Sequence, residues 1–95
     1  MRHIGVIGAG HVGLVTAACF AKMGNIVICA DNDIKKIKTL KQNKMPFYEP
    51  QLEQIVKTTV KNGRLTFTSS IEKLVKNSEI IFIAVGTPAT DRGEA

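Results

Sequence analysis

Gly8, Gly10 and Gly13 stand in the spacing GxGxxG directly after Ile4-Gly5-Val6-Ile7, and Asp31 follows eighteen residues after the last of them, closing the next apolar run. Those residue types at that spacing suit one piece of chemistry, the seating of two linked phosphates on bare backbone. Gly8 permits a tight turn off a strand, Gly10 has no Cβ to hold a phosphate away, and Gly13 lets the following helix lie close to the sheet. Amides at the helix start then present partial positive charge to the pyrophosphate. A carboxylate at Asp31 is placed to accept both hydroxyls of an adenosine ribose. The pattern predicts a dinucleotide site in which NAD is preferred, because a 2′-phosphate would meet the like charge of Asp31. Lys35 and Lys36 lie close enough in sequence to soften that discrimination. His11 and Val12 fill the loop between the second and third glycines; the imidazole can reach a phosphate there, although a turn residue without a ligand explains it more simply.

A GxGxxG alone also marks ordinary turns, so the elements around it decide its weight. Residues 3–7 read as a strand, 11–23 as a helix of small apolar residues, and 26–30 as a second strand ending at the acid. Ile34, Ile37 and Leu40 make the apolar face of a second helix, with Lys35, Lys36, Lys38, Lys41 and Lys44 spread over the rest. The segment Met45-Pro46-Phe47-Tyr48-Glu49-Pro50 breaks that pattern, and Pro50 suits the first turn of a third helix carrying Leu52, Ile55, Val56, Thr59 and Val60. Asn62-Gly63 closes it as a left-handed cap, and residues 64–68 form a third strand. Ser69 with Glu72 reads as a capping box for a short helix turning Ile71, Leu74 and Val75 inward, and residues 79–85 form a fourth strand. This alternation predicts an α/β fold, a Rossmann-type doubly wound parallel sheet of order 3-2-1-4, ending after its fourth strand. Ligands of such sheets bind beyond the C-terminal strand ends where the order reverses, which brings Gly8–Gly13 beside Gly86-Thr87-Pro88.

Composition sets the outer bounds. Ninety-five residues, 44% hydrophobic and 22% charged, fit one domain with a modest core. No apolar stretch approaches the roughly 18 residues that cross a bilayer, and the chain enters a strand at once with no signal-peptide pattern, so a cytoplasmic setting without a membrane is expected. Cys19 and Cys29 give no disulfide framework or metal spacing; both are expected to be buried thiols, not nucleophiles. No metal is expected. The net charge of +5 comes largely from the lysines of the second helix, which a solvated face explains. Nucleic-acid binding is the sharper alternative, but it lacks an aromatic platform and an arginine stripe, so no nucleic-acid partner is expected.

Five segments in order carry a family resemblance: residues 6–15 around the glycines, Asp31 to Lys36, Pro46-Phe47-Tyr48-Glu49-Pro50, residues 63–67, and residues 83–88 ending Gly86-Thr87-Pro88. Together they resemble the amino-terminal NAD-binding part of the UDP-glucose/GDP-mannose dehydrogenase family, over essentially all 95 residues. The resemblance implies a larger enzyme that oxidises the C6 alcohol of a nucleotide sugar to a carboxylate, with two NAD and a thiohemiacetal on a cysteine. It implies that Val12, Asp31, Lys36 and Thr87 contact NAD, Lys36 near the adenosine ribose, and that Gly86 lies in the loop beside them. It also implies that residues 1–95 hold cofactor contacts but no catalytic residue. The catalytic cysteine, a linking helix and the sugar domain would then lie beyond residue 95, and the full-length enzyme would be a homodimer or a higher homo-oligomer.

Two positions depart from the family pattern: His11 stands where tyrosine is usual, and Gln51 where glycine commonly follows Tyr-Glu-Pro. Within the family the sugar stays open among UDP-glucose, which the Tyr48-Glu49-Pro50 segment favours, UDP-N-acetylmannosamine and GDP-mannose. Outside it, a stand-alone NAD-sensing regulatory domain is the competing reading. The piece by itself is expected to bind NAD weakly, if at all, to oxidise nothing, and to expose an apolar edge at Ile80–Val85.

Overall fold

The computed structural model describes residues 1–85. The elements run β1 (His3–Ile7), α1 (His11–Lys22), β2 (Ile26–Ala30), α2 (Ile34–Lys41), α3 (Pro50–Lys61), β3 (Leu65–Thr68), α4 (Ile71–Lys76) and β4 (Ile80–Ile83). All four strands pair in parallel in the order β3-β2-β1-β4, as the alternation of elements predicts. Register aligns Ile7 with both Ala30 and Ile83, so the loops leaving β1, β2 and β4 open at one edge.

Parallel strands are covered on both faces and therefore need near-continuous apolar runs. Val6, Val27, Cys29 and Leu65 are fully buried, and Leu14, Ala17, Ala18 and Ala21 of α1 pack over them. Small residues on α1 bring that helix close to the sheet. Leu52 and Val56 of α3, with Ile37 and Leu40 of α2, complete this layer. Leu74 of α4 lies against β1, directly over Gly5; a Cβ at Gly5 would overlap its side chain and come within 2.6 Å of Ser78 Oγ.

Helix ends follow local chemistry. Asp33 caps α2 by accepting from the Lys36 amide at 3.1 Å, and Ser70 caps α4 by accepting from the Lys73 amide at 3.1 Å. The α4 cap is thus Ser70 and not Ser69. Thr68 Oγ1 accepts from the Ser70 amide, which fixes the turn one residue later than a Ser69–Glu72 capping box requires. Pro50 opens α3, and Gly63, at φ 76°, follows its last turn in the left-handed conformation expected there.

Three apolar residues sit differently from the sequence reading. Ile34 and Val75 are exposed, because α2 and α4 are only eight and six residues long and bury a single narrow stripe: Ile37 with Leu40, and Leu74. Cys19 is exposed as well, since the buried stripe of α1 passes through Ala17, Ala18 and Ala21. The expected apolar strand edge is present: Ile80 to Ile83 are all exposed, Ile83 by 72%.

Candidate cofactor site

β1 ends at Ile7 and the chain turns through Gly8 at φ 111°, a conformation that side chains other than glycine rarely adopt. Backbone crowding adds a second reason for glycine there. A Cβ would come within 2.8 Å of the Ala84 carbonyl oxygen. Gly13 has a normal φ but its Cα rests on the Gly8 carbonyl, which any Cβ would overlap. The third glycine therefore serves the contact between α1 and the loop that precedes it. Gly10 differs from both, for a Cβ built on it meets no atom within 4 Å.

The mouth of α1 is polar and open. Gly10 is the N-cap and brings no side chain to the first-turn amides, and no carboxylate stands in that turn. His11 and Val12 are exposed there, Val12 by 67%. The His11 ring packs against Phe47, with centroids 4.9 Å apart, tying the start of α1 to the segment before α3.

Asp31 follows β2 and faces the glycine loop. Its Oδ2 accepts from the Ala9 amide at 2.9 Å, its Oδ1 accepts from the Asp33 amide at 2.9 Å, and Lys36 Nζ stands 3.7 Å from Oδ2. Burial alone would raise the Asp31 pKa; the two amides and the Lys36 ammonium outweigh it and hold the carboxyl below its ordinary value. A carboxylate offers about four acceptor positions, so three neighbours leave room for a ribose hydroxyl. A groove of about 170 Å³ runs beside it, lined by Ile7, Gly8, Asp31, Asn32, Ile71 and Val85. A larger hollow of about 550 Å³ lies elsewhere, bordered by Asn43, Lys57, Val60 and Lys61, away from the glycine loop and the acid at the strand ends.

The structure thus brings together Gly8, Gly10, His11, Val12, Gly13, Asp31 and Lys36 at one edge of the sheet. Gly86 and Thr87 lie outside the described residues. Cys29 sits beneath the loop, its thiol directed at the Gly8 carbonyl at 3.7 Å; burial, then the Asp31 charge, push its pKa up to about 12. Such a thiol is no nucleophile. Among the described residues no group of acids, histidines and cysteines could hold a metal, and no helix is long and apolar enough to cross a membrane.

The residues fit a dinucleotide. Open space over Gly10, uncapped amides at α1 and an acid with spare acceptor positions are what a pyrophosphate and its ribose require. Residues 2–95 match the model of the NAD binding domain of the UDP-glucose/GDP-mannose dehydrogenase family. The chain belongs to that family. It is 50% identical over 95 residues to the UDP-glucose 6-dehydrogenase TuaD of Bacillus subtilis, covering all of this chain and 21% of that protein. Among solved structures it resembles a GDP-mannose dehydrogenase of Pseudomonas aeruginosa, with a TM-score of 0.90 at 39% identity over 99% of this chain and 21% of the other. A UDP-glucose dehydrogenase of Pyrobaculum islandicum gives 0.89 at 36% identity over 96% of this chain and 21% of the other. The chain spans about one fifth of the length of these relatives.

Family membership favours the dehydrogenase reading over that of a regulatory NAD-sensing domain. What sequence reasoning missed is the support around the site: the Ala9 amide as a partner of Asp31, Gly5 beneath Leu74, Phe47 against His11, and Asn32 and Ile71 in the groove. The first and third are pairings across 22 and 36 positions that no local pattern encodes. Gly5 could have been noticed, since a glycine inside a β-branched strand marks a close approach.

Proposed function

We propose that Gly8–Gly13, Asp31 and Lys36 hold NAD for an enzyme that oxidises UDP-glucose to UDP-glucuronate. The observation that carries the cofactor contacts is the open space over Gly10 at the uncapped start of α1, faced by an ionised Asp31. The main-chain amides of the first turn donate to the pyrophosphate. Asp31 accepts from the adenosine ribose and disfavours a 2′-phosphate there, while Lys36 steadies the carboxylate. The His11 ring, braced on Phe47, walls the phosphate side of the loop, and Val12 faces the bound dinucleotide from the first turn. Gly86 and Thr87 complete the cofactor contacts from the segment after β4.

When bound, NAD accepts a hydride. Two such transfers, with the addition of one water, take a primary alcohol to a carboxylate and consume two NAD. The catalytic cysteine and the sugar-binding residues belong to other parts of the enzyme, consistent with the one fifth of its relatives that this chain spans. Within residues 1–85 the two cysteines are a buried thiol and an exposed helix residue without a base hydrogen-bonded to it. UDP-glucose as substrate is supported by the 50% identity to TuaD. A cytoplasmic enzyme, assembled as a homodimer or a higher homo-oligomer, accords with this reading.

The test is a steady-state assay of the full-length enzyme with UDP-glucose, UDP-N-acetylmannosamine and GDP-mannose, each with NAD and with NADP. UDP-glucose with NAD is expected to give the highest kcat/KM. A preference for GDP-mannose would overturn the substrate, and equal use of NADP would overturn the role given to Asp31.

A further inference from the structure

Three consecutive residues at the end of β2 grip two consecutive peptide units of the glycine loop. The Ala30 carbonyl accepts from the Gly8 amide at 2.6 Å, the Cys29 thiol points at the Gly8 carbonyl at 3.7 Å, and Asp31 Oδ2 accepts from the Ala9 amide at 2.9 Å. The first of these extends the ordinary pairing of β1 with β2 past the strand end, and the second is a long thiol contact to a carbonyl. The third gives a backbone amide a side-chain acceptor, and that amide belongs to a wholly buried residue, so no solvent replaces the bond once it is lost.

We propose that Asp31 is a positioning residue for the cofactor phosphates as well as an acceptor for the ribose: its carboxylate sets the Gly8–Ala9 peptide in the phosphate-receiving arrangement before any ligand arrives. This rests on the cofactor reading above and deepens it. The carboxylate is divided between two tasks by geometry. Oδ2 holds the loop through Ala9, Oδ1 holds the start of α2 through Asp33, and the same carboxylate lines the groove beside Gly8 and Asn32. A loop whose turn carries φ 111° at Gly8 has other conformations open to it, and the Ala9 bond selects one of them. Such presetting lowers the ordering cost at the moment of binding. The neighbouring Asp33 provides the contrast, because its side chain caps α2 through Lys36 and makes no bond to the loop.

The experiment separates the two tasks of Asp31 by changing the ligand. Dissociation constants are measured on the full-length enzyme for NAD and for an NAD analogue whose adenosine ribose lacks both hydroxyls. Asp31→Ala is compared with the unsubstituted protein and with Asp33→Ala. For NAD, Asp31→Ala loses both contributions. For the analogue the ribose contribution is already gone, and Asp31→Ala is expected still to weaken binding by about fivefold, the factor for one net hydrogen bond. Asp33→Ala is expected to leave the analogue's affinity within about twofold. Equal affinity of Asp31→Ala and the unsubstituted protein for the analogue would overturn the positioning role while leaving the cofactor reading intact. Failure of the unsubstituted protein to bind NAD at all would overturn both.

Amide hydrogen exchange without ligand gives an independent arm. Ala9 is expected to exchange at least tenfold faster in Asp31→Ala than in the unsubstituted chain, with Val6 unchanged. Asp31→Leu serves if the alanine variant does not fold, because a side chain of similar shape then offers no acceptor to the Ala9 amide. An Ala9 rate that is the same in the substituted and unsubstituted proteins overturns the inference.

Discussion

At the scale of single residues, the three loop glycines separate into those the fold needs and one that the ligand needs. Gly10→Ala adds a methyl where nothing lies within 4 Å, so its thermal midpoint is expected to match the unsubstituted chain while NAD affinity falls at least tenfold. Gly13→Ala drives a methyl into the Gly8 carbonyl and is expected to cost about 1–3 kcal/mol of stability as well as the affinity. Calorimetric melting beside NAD titration checks both, and a Gly10→Ala protein with unaltered affinity would remove the phosphates from that surface. Asp31 gives a prediction in pH. Its folded pKa lies below the unfolded value, so its contribution is fully present above the ordinary carboxylate range and is lost as pH falls through the folded pKa. Urea midpoints taken from neutral pH down to about pH 3 should therefore fall less steeply for Asp31→Asn than for the unsubstituted chain. Parallel curves would show that the amides of Ala9 and Asp33 do not favour the charged form.

At the scale of elements, the short helices show what a local pattern can and cannot tell. Leu74→Ala should cost about 2–5 kcal/mol, while Val75→Ser, on the exposed side of α4, should change stability by less than about 0.5 kcal/mol. Ser70→Ala should lose about 1 kcal/mol of cap energy and Ser69→Ala almost none. Denaturant titration of the four variants decides the order. The number, type and sequence of elements were legible in the chain because a period near 3.6, strand-length apolar runs and glycine or proline punctuation are all local signals. The helix faces were less so. Ile34 fits the period of α2 yet is exposed, because it precedes the turn that touches the sheet; Val75 fails similarly on a helix that buries one residue. Of the site, the glycines and the acid were legible from spacing, whereas the Asp31–Ala9 and His11–Phe47 contacts depend on how distant segments meet.

At the scale of the whole molecule, one sheet edge gathers the chemistry and the two cysteines sample different depths. Cys19 is exposed on α1, while Cys29 is buried in β2 with its pKa pushed up to about 12. In the native protein a thiol reagent should modify Cys19 rapidly and Cys29 only as fast as the sheet opens. Mass spectrometry of the modified chain over time would assign the two rates. Fast labelling of Cys29 would mean that the glycine loop and the strand beneath it open together without global unfolding.

The far end of the sheet carries a practical consequence. Met1 is exposed, and Arg2 there pairs with Glu79 at 2.9 Å, at the opposite end of β1 from Gly8. An affinity tag, a fluorophore or a solid support joined to the amino terminus would leave the opening above α1 unobstructed. Immobilising the protein through that terminus is therefore the natural orientation for a surface-based nucleotide sensor.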